Sequence, residues 1–114
     1  PGTFSEMHRL RSDEVFHHYL GAPVEMLQLQ PDGSSAHIVI GPDLAAGQRP
    51  QAVVERHVWQ GSRLVGAIGS LGFGLLGCTV SPGFEFEDYE QGTRAELCAQ
   101  WPQWSELIAE LTRA

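Results

Sequence analysis

Short stretches in which apolar and polar positions alternate every second residue run through the first two thirds of the chain. In residues 3–10, "TFSEMHRL", Phe4 and His8 fall on one face and Met7 on the other, which is the period of a β-strand. The other strand candidates are 15–20, 24–30, 36–40, 52–54, 58–65 and 71–80. The pattern predicts a mostly β protein of six to eight short antiparallel strands.

Turn sequences separate these strands. Between 24–30 and 36–40 stands "PDGSS", in which the step from Asp32 to Gly33 supplies the positive φ that a hairpin needs. The segment 41–51 is rich in glycine, proline and aspartate and is typical of a loop. We therefore expect the strands at 24–30 and 36–40 to be antiparallel neighbours, with a loop after them.

The period changes near the C-terminus. Thr93 followed by Glu96 forms a capping box, which opens a short helix, and Pro102 is a typical first residue of a second one. The apolar stripe of that second helix, at spacings of i, i+3, i+4 and i+7, consists of Trp104, Leu107, Ile108 and Leu111. Two short helices are expected to follow the strands.

Length and composition favour one domain. A chain of 114 residues with 42% apolar content has room for a single core, and its 13 glycines and 7 prolines suit short strands and many turns. The predicted domain spans 1–114, with barrel strands over 1–80, a closing segment over 81–92 and C-terminal helices over 93–114. The fold class is predicted as all-β with short C-terminal helices.

Charge and cysteine content limit the classes of partner that the chain is expected to bind and the compartment in which it is expected to lie. Acidic residues outnumber basic ones 14 to 7, and no basic tract is present, so nucleic acid and anionic membranes are poor partners. The longest apolar stretch, 64–80, is interrupted by glycines and too short to span a membrane. Because Cys78 and Cys98 stand without a secretory leader, we expect free thiols and a cytoplasmic location, with Cys78 protonated and inert in its apolar strand.

Four segments together resemble the DUF985 branch of the cupin superfamily, also called cupin_5. They are "PGTFSEMHRLRSDEVFHHYLG", "IGPDLAAGQRPQ", "VWQGSRL" and "GCTVSPGFEFEDYE". The resemblance implies a double-stranded β-helix, a jelly-roll cupin barrel of the RmlC-like kind found in sugar-nucleotide epimerases, commonly dimeric. Members usually carry a further N-terminal segment, and we expect that part of the family domain to be absent from this sequence.

The resemblance also places a candidate site. The general cupin pattern has His-x-His, a glutamate four residues later, and one more histidine in a second motif. His8 and Glu14 match this pattern, but Leu10 and Gln60 stand where the other two histidines belong. Leucine donates nothing and an amide oxygen is a weak ligand, so we expect no tightly held metal and at most a weak divalent metal at His8 and Glu14.

Strand alternation extends the candidate pocket. Counting from Glu14, Phe16 and His18 share its inward face. The predicted ligand-binding residues are Phe4, Phe16, His18, Gln60 and Phe73. For His18 the alternative is a hydrogen bond to a core tyrosine or a backbone carbonyl. Trp59, next to Gln60, is expected to pack outside the barrel, under the helices or at a dimer contact.

Three functions stay open. The favoured one is a cytoplasmic, homodimeric small-molecule-binding protein whose polar pocket takes a carbohydrate-like or polar-aromatic ligand. The first alternative is a metal-independent isomerase or epimerase with His8 as base and Glu14 as its orienting acid. Its tyrosine acid is unassigned, because Tyr19 has the wrong strand parity and Tyr89 lies in the closing segment. The second alternative is a metal-dependent cupin oxygenase.

One neighbouring cation is expected to be structural. Arg9 follows His8 and therefore faces away from the pocket. We expect it to pair with Asp13, Glu87 or a partner subunit.

Overall fold

Two antiparallel β-sheets lie face to face in the computed structural model, which describes residues 4–65, 74–81 and 89–113. The strands are β1 Ser5–Arg9, β2 Asp13–Gly21, β3 Val24–Leu29, β4 Ser35–Ile40, β5 Gln51–Val54, β6 Trp59–Leu64, β7 Gly74–Ser81 and β8 Glu90–Gln91. The helices are α1 Arg94–Gln100 and α2 Ser105–Glu110, with 3-10 turns at Leu44–Ala46 and Pro102–Trp104. This mostly β architecture with two short helices confirms the predicted fold class, a jelly-roll barrel.

Strand pairing follows the sequence pattern closely. The larger sheet has the order β4-β3-β6-β1-β8 and the smaller sheet the order β5-β2-β7. The predicted hairpin is confirmed: β3 pairs with β4, and Gly33 has a φ of 91°. The predicted loop at 41–51 contains a 3-10 turn and gives its last residue, Gln51, to β5. Residues 71–73 of the last predicted strand lie outside the described residues.

Two apolar clusters define the layers. The interior cluster joins the two sheets and consists of Met26, Ile38, Ile40, Ala52, Val54 and Val58. The helix-side cluster joins the larger sheet to the helices and consists of Met7, Leu27, Leu29, Trp59, Leu97, Trp101, Ile108 and Leu111. The larger sheet is therefore covered on both faces. Trp59 packs under the helices, as predicted.

A β-bulge in β1 changes the parity of its first residues. Ser5 pairs with Ser62 and His8 with Gln60, so three steps on β1 correspond to two on β6. The extra residue turns Phe4 to the side of Met7, where it packs against the helix-side cluster. The prediction that Phe4 shares the inward face of His8 is therefore wrong, because simple alternation does not hold across a bulge.

The C-terminal helices are fixed by capping and by one arginine. The Thr93 side chain accepts a hydrogen bond from the Glu96 amide, as expected of the capping box. Arg94 donates to the carbonyl of Ala109 at 2.8 Å and to that of Thr112 at 2.7 Å, and so ties α1 to the end of α2. Across the described parts of the chain, we find no helix with the length and apolar content needed to cross a membrane.

The outer face of β3 carries an ion-pair network that should make stability depend on pH. Burial acts to raise the pKa of Glu25, but the hydrogen bonds and charges of Arg63 and His37 outweigh burial and hold that pKa below its ordinary value of 4.5. A carboxylate of this kind stabilises the fold above pH 4.5 and loses its contribution as the pH falls through the folded pKa. We expect Glu25→Gln to flatten the acid limb of stability in urea unfolding at stepped pH. An acid limb identical to that of the parent protein would contradict this.

Candidate functional site

A row of polar side chains crosses the inner face of the larger sheet. His8 of β1 is the cross-strand partner of Gln60 of β6, and Gln60 is the partner of Gln28 of β3. Directly opposed residues in an antiparallel pair project to the same face, so the three side chains lie side by side. Gln60 is 1% exposed and Gln28 donates to the carbonyl of Val53 on the opposite sheet. The row therefore faces the barrel interior.

Glu14 meets this row from the smaller sheet. Its carboxylate is 6% exposed and accepts a hydrogen bond from the Gln60 amide and another, at 2.9 Å, from the Cys78 thiol. β2 brings Glu14 into place through its pairing with Val54 and Val80. Among the described residues, the hydrogen-bond partners of this buried carboxylate are the neutral side chains of Gln60 and Cys78.

The thiol of Cys78 is held as a donor. Although Cys78 as a whole residue is exposed, partial desolvation of its thiol, together with the Glu14 carboxylate, raises the pKa of Cys78 to about 12, which agrees with the expected protonated thiol. We predict that Cys78 reacts with a disulfide reagent at pH 8 much more slowly than an unfolded thiol does, since the thiolate is the nucleophile. Glu14→Gln should speed the reaction, as followed by site-resolved mass spectrometry. Equal rates in the parent and variant would contradict the role assigned to Glu14.

His8 is held by two contacts of its own. Its Nδ1 lies 2.6 Å from the backbone carbonyl of Glu6, and its ring stacks on Tyr89 with centroids 5.1 Å apart and planes 18° apart. Burial, and to a lesser degree the Glu6 carboxylate, raises the pKa of Tyr89, so its phenol stays neutral. Sequence reasoning left Tyr89 without a role, since its only signal was an aromatic residue in the closing segment.

Gln60 links the two residues of the predicted acid/base pair. It neighbours His8 in strand register and donates to Glu14. The hydrogen bonds that the structure describes for Glu14 go to Gln60 and Cys78, and that of His8 goes to Glu6. Direct contact between His8 and Glu14 stays a prediction. The structure places His8 beside Gln60 in strand register, and Glu14 in hydrogen-bond contact with Gln60 from the opposite sheet.

The two further ligand-binding residues predicted on β2, Phe16 and His18, have different surroundings. Phe16 packs against the interior cluster, in keeping with its predicted inward direction. His18 donates from Nε2 to the carbonyl of Ala22 at 3.2 Å, which is the alternative stated for it. Four residues of strand separate its backbone from Glu14, or about 13 Å. Phe73 lies outside the described residues.

Arg9 has a structural role with a different partner from those expected. It forms a bidentate pair with Glu90, at 3.0 and 3.2 Å, and lies 4.5 Å above the ring of Trp59. Asp13, one of the predicted partners, pairs with Arg56 instead, and Glu87 lies outside the described residues. The difference arises because β8, a two-residue strand that the sequence did not reveal, brings Glu90 beside β1.

The donor set does not fit the metal centre that the fold family implies. Leu10 is 6% exposed and offers only hydrocarbon, and the Gln60 amide nitrogen is directed at Glu14. Within the ranges that the structure describes, no three His, Cys, Asp or Glu side chains are grouped so as to hold a metal ion.

A second concavity lies outside the barrel, between the end of β6 and α2. Its volume is about 420 Å³, and Arg63, Trp104 and Glu110 are among its lining residues. Arg63 is already paired with Glu25 and Glu110. Among the described lining residues, the groove therefore offers no unpaired cation to an anionic ligand.

Comparisons with known proteins agree with this architecture. The model of the Cupin_5 family, described as "Cupin superfamily (DUF985)", matches residues 1–92. A crystal structure of a protein from Shewanella oneidensis is 35% identical, with a TM-score of 0.85 over 96% of this chain and 67% of that chain. A hypothetical protein from Leishmania major is 28% identical, with a TM-score of 0.89 over 100% of this chain and 72% of that one.

A more distant structure shows the fold alone. A point mutant of oxalate decarboxylase from Bacillus subtilis is 11% identical, with a TM-score of 0.61 over 97% of this chain and 28% of that one. A search of curated proteins found no match.

Proposed function

Because the chain belongs to the Cupin_5 (DUF985) family of the cupin superfamily, we propose that it binds a small polar molecule inside the barrel, at Glu14, Gln60 and His8. The ligand class is carbohydrate-like or polar-aromatic, and no tightly held metal takes part. The observation that carries this proposal is the buried carboxylate of Glu14, which the structure pairs with an amide and a thiol rather than with a cation.

Burying a carboxylate is costly unless its charge and lone pairs are met. Hydrogen bonds from Gln60 and Cys78 meet one lone pair on each oxygen, and a carboxylate can accept about four such bonds. A protein that needed only a filled core would be served as well by an apolar residue of similar volume. Retention of the carboxylate therefore supports a role in binding, with the hydroxyl or N–H groups of a ligand as the remaining donors.

An apolar wall stands beside these polar groups. Phe16 lies two residues after Glu14 on the same face of β2 and packs against the interior cluster. Ligand sites commonly combine a mainly apolar lining with a few placed polar groups. This combination suits a sugar ring or a substituted aromatic ring better than a fully charged ligand.

The test is binding by the intact chain and by a carboxamide variant. Native mass spectrometry of the protein as purified would reveal a retained small molecule, and thermal shift against a panel of monosaccharides would reveal added ones. We expect Glu14→Gln to lose at least about tenfold in affinity, since hydrogen bonds to a charged acceptor contribute about 1.5–3 kcal/mol. Glu55→Gln makes the same change at an exposed carboxylate and should bind like the parent. Equal binding by both variants would contradict the proposal.

A second candidate, a metal-independent isomerase or epimerase, is favoured by the contact between His8 Nδ1 and the Glu6 carbonyl. A carbonyl only accepts, so the neutral ring keeps its lone pair on Nε2, where a base needs it. Tyr19 is 63% exposed on the outer face and is not the acid, whereas Tyr89 is stacked on His8. This activity would transfer solvent deuterium into a keto-sugar or keto-acid, and His8→Gln would abolish the exchange. No exchange across a broad panel would reject it.

We also propose that the chain forms a homodimer through the outer face of the smaller sheet. The large apolar side chains exposed there, by 50–63%, are Tyr19, Leu20, Val53 and Leu75. Asp13, a charged residue of this face at the start of β2, is paired with Arg56, so two copies of a chain with net charge −7 can meet at the apolar part of the face. Val53→Glu should convert a dimer to a monomer in light scattering. A parent protein that runs as a monomer would refute this.

The cytoplasm is the proposed location. Cys78 and Cys98 are both free thiols, which suits a reducing compartment.

A further inference from the structure

Two contacts fix the position of the His8 ring, one with a backbone carbonyl and one with an aromatic ring. The carbonyl of Glu6 lies 2.6 Å from Nδ1, and the ring of Tyr89 lies nearly parallel to the imidazole. Nε2 has no hydrogen-bond partner among the residues that the structure describes. With respect to the described residues, the imidazole is thus anchored at Nδ1 and leaves Nε2 available.

The β1 bulge explains how a strand carbonyl becomes available to a side chain. Between Ser5 and His8, β1 has one residue more than β6. A bulge leaves its extra residue out of the regular ladder, and the carbonyl of Glu6, inside this interval, accepts from the His8 ring instead. The same irregularity that turns Phe4 toward the helices therefore supplies the acceptor for His8.

The carbonyl of Glu6 determines which ring nitrogen of His8 carries the proton. A backbone carbonyl has no proton to give, so the hydrogen bond requires the proton on Nδ1. In the neutral ring Nε2 is then an acceptor. The neutral phenol of Tyr89 holds the ring plane through stacking, and aromatic pairs of this kind favour offset, near-parallel geometry.

We propose that the β1 bulge and Tyr89 lock His8 as the Nδ1–H tautomer, so that the pocket presents the acceptors His8 Nε2 and Glu14 to its ligand. Tyr89 is a positioning residue: it acts on the ring of His8. The ligand class that follows is one with at least two O–H or N–H donors. This last step rests on the proposed function, whereas the tautomer does not.

The tautomer can be read without any ligand. In protein labelled with ¹⁵N at histidine, the two ring nitrogens of His8, assigned by comparison with His8→Gln, have distinct shifts when protonated and unprotonated. At mildly alkaline pH we expect Nδ1 to carry the proton. Tyr89→Phe should keep this state, and Tyr89→Leu should reduce the ratio of the two tautomers roughly two- to tenfold, the range expected for loss of an aromatic pair. A proton on Nε2 in the parent, an even mixture, or no effect of Tyr89→Leu would overturn the lock.

The ligand class is tested with a matched pair of probes. Methyl α-glucoside offers hydroxyl donors, and its fully O-methylated derivative keeps every oxygen as an acceptor but has no donor. Binding of the glucoside but not of its O-methylated derivative supports a ligand that must donate hydrogen bonds. Binding of both to the same extent overturns that requirement. If neither binds, the carbohydrate class in the proposed function is contradicted, while the ¹⁵N shifts of His8 decide the tautomer independently.

Discussion

Replacing Trp101 with alanine is expected to lower the free energy of unfolding by about 3–5 kcal/mol, the range for removing a buried large aromatic side chain. Trp101 is 2% exposed and belongs to the helix-side cluster. Its indole nitrogen also donates to the carbonyl of Ser34 at 3.2 Å, so the variant leaves a cavity and a lost hydrogen bond together. Urea unfolding followed by circular dichroism measures the change.

Trp104 provides the control for this prediction. It is only partly buried at the edge of the same cluster, and its indole nitrogen donates to the Ser35 hydroxyl at 2.6 Å. Trp104→Ala should therefore cost clearly less than Trp101→Ala. Equal losses at the two positions would mean that the helices are not held mainly by Trp101.

Replacing Gln60 with leucine is expected to cost about 1.5–3 kcal/mol, the contribution of a hydrogen bond to a charged group. The variant removes the amide donor of Glu14 and leaves a buried carboxylate oxygen facing hydrocarbon. The leucine itself fills similar space, so the loss reports on the carboxylate rather than on a cavity. Thermal and urea unfolding near neutral pH provide the measurement.

A double variant separates this cause from a packing defect. When both hydrogen-bond partners become apolar, the penalty for an unsatisfied polar group disappears. Glu14→Leu together with Gln60→Leu should therefore be more stable than Gln60→Leu alone. If the two substitutions simply added, the interaction between Gln60 and Glu14 would not be the reason for the loss.

Much of the fold followed from sequence because local signals and tertiary packing agree. Alternation predicted the strands, the Asp-Gly step predicted the β3–β4 hairpin, and Thr93 predicted the start of α1. The parity of Trp59 and Gln60 also held, since β6 runs without interruption between two covered faces. In each case the signal lies within a few consecutive residues, and no irregular feature interrupts it.

The candidate site was less predictable because its geometry depends on irregular features. A bulge in β1 reversed the side on which Phe4 lies, and no residue type in "TFSEMHRL" announces it. The thiol donor to Glu14 comes from a strand more than sixty positions away, a partner that only tertiary pairing provides. Tyr89 stacks on His8 from a position about eighty residues further along the chain, a contact that only tertiary pairing provides.

A hydrogen bond between β1 and the residue that follows α2 links the helices to the strand that carries His8. The amide of Met7 donates to the carbonyl of Leu111 at 2.9 Å, and the next residue along β1 is His8. Undocking of the last helical turn would thus expose an amide adjacent to the imidazole. The rate of deuterium uptake at the Met7 amide therefore reports how stably the end of α2 is docked against the strand that carries His8.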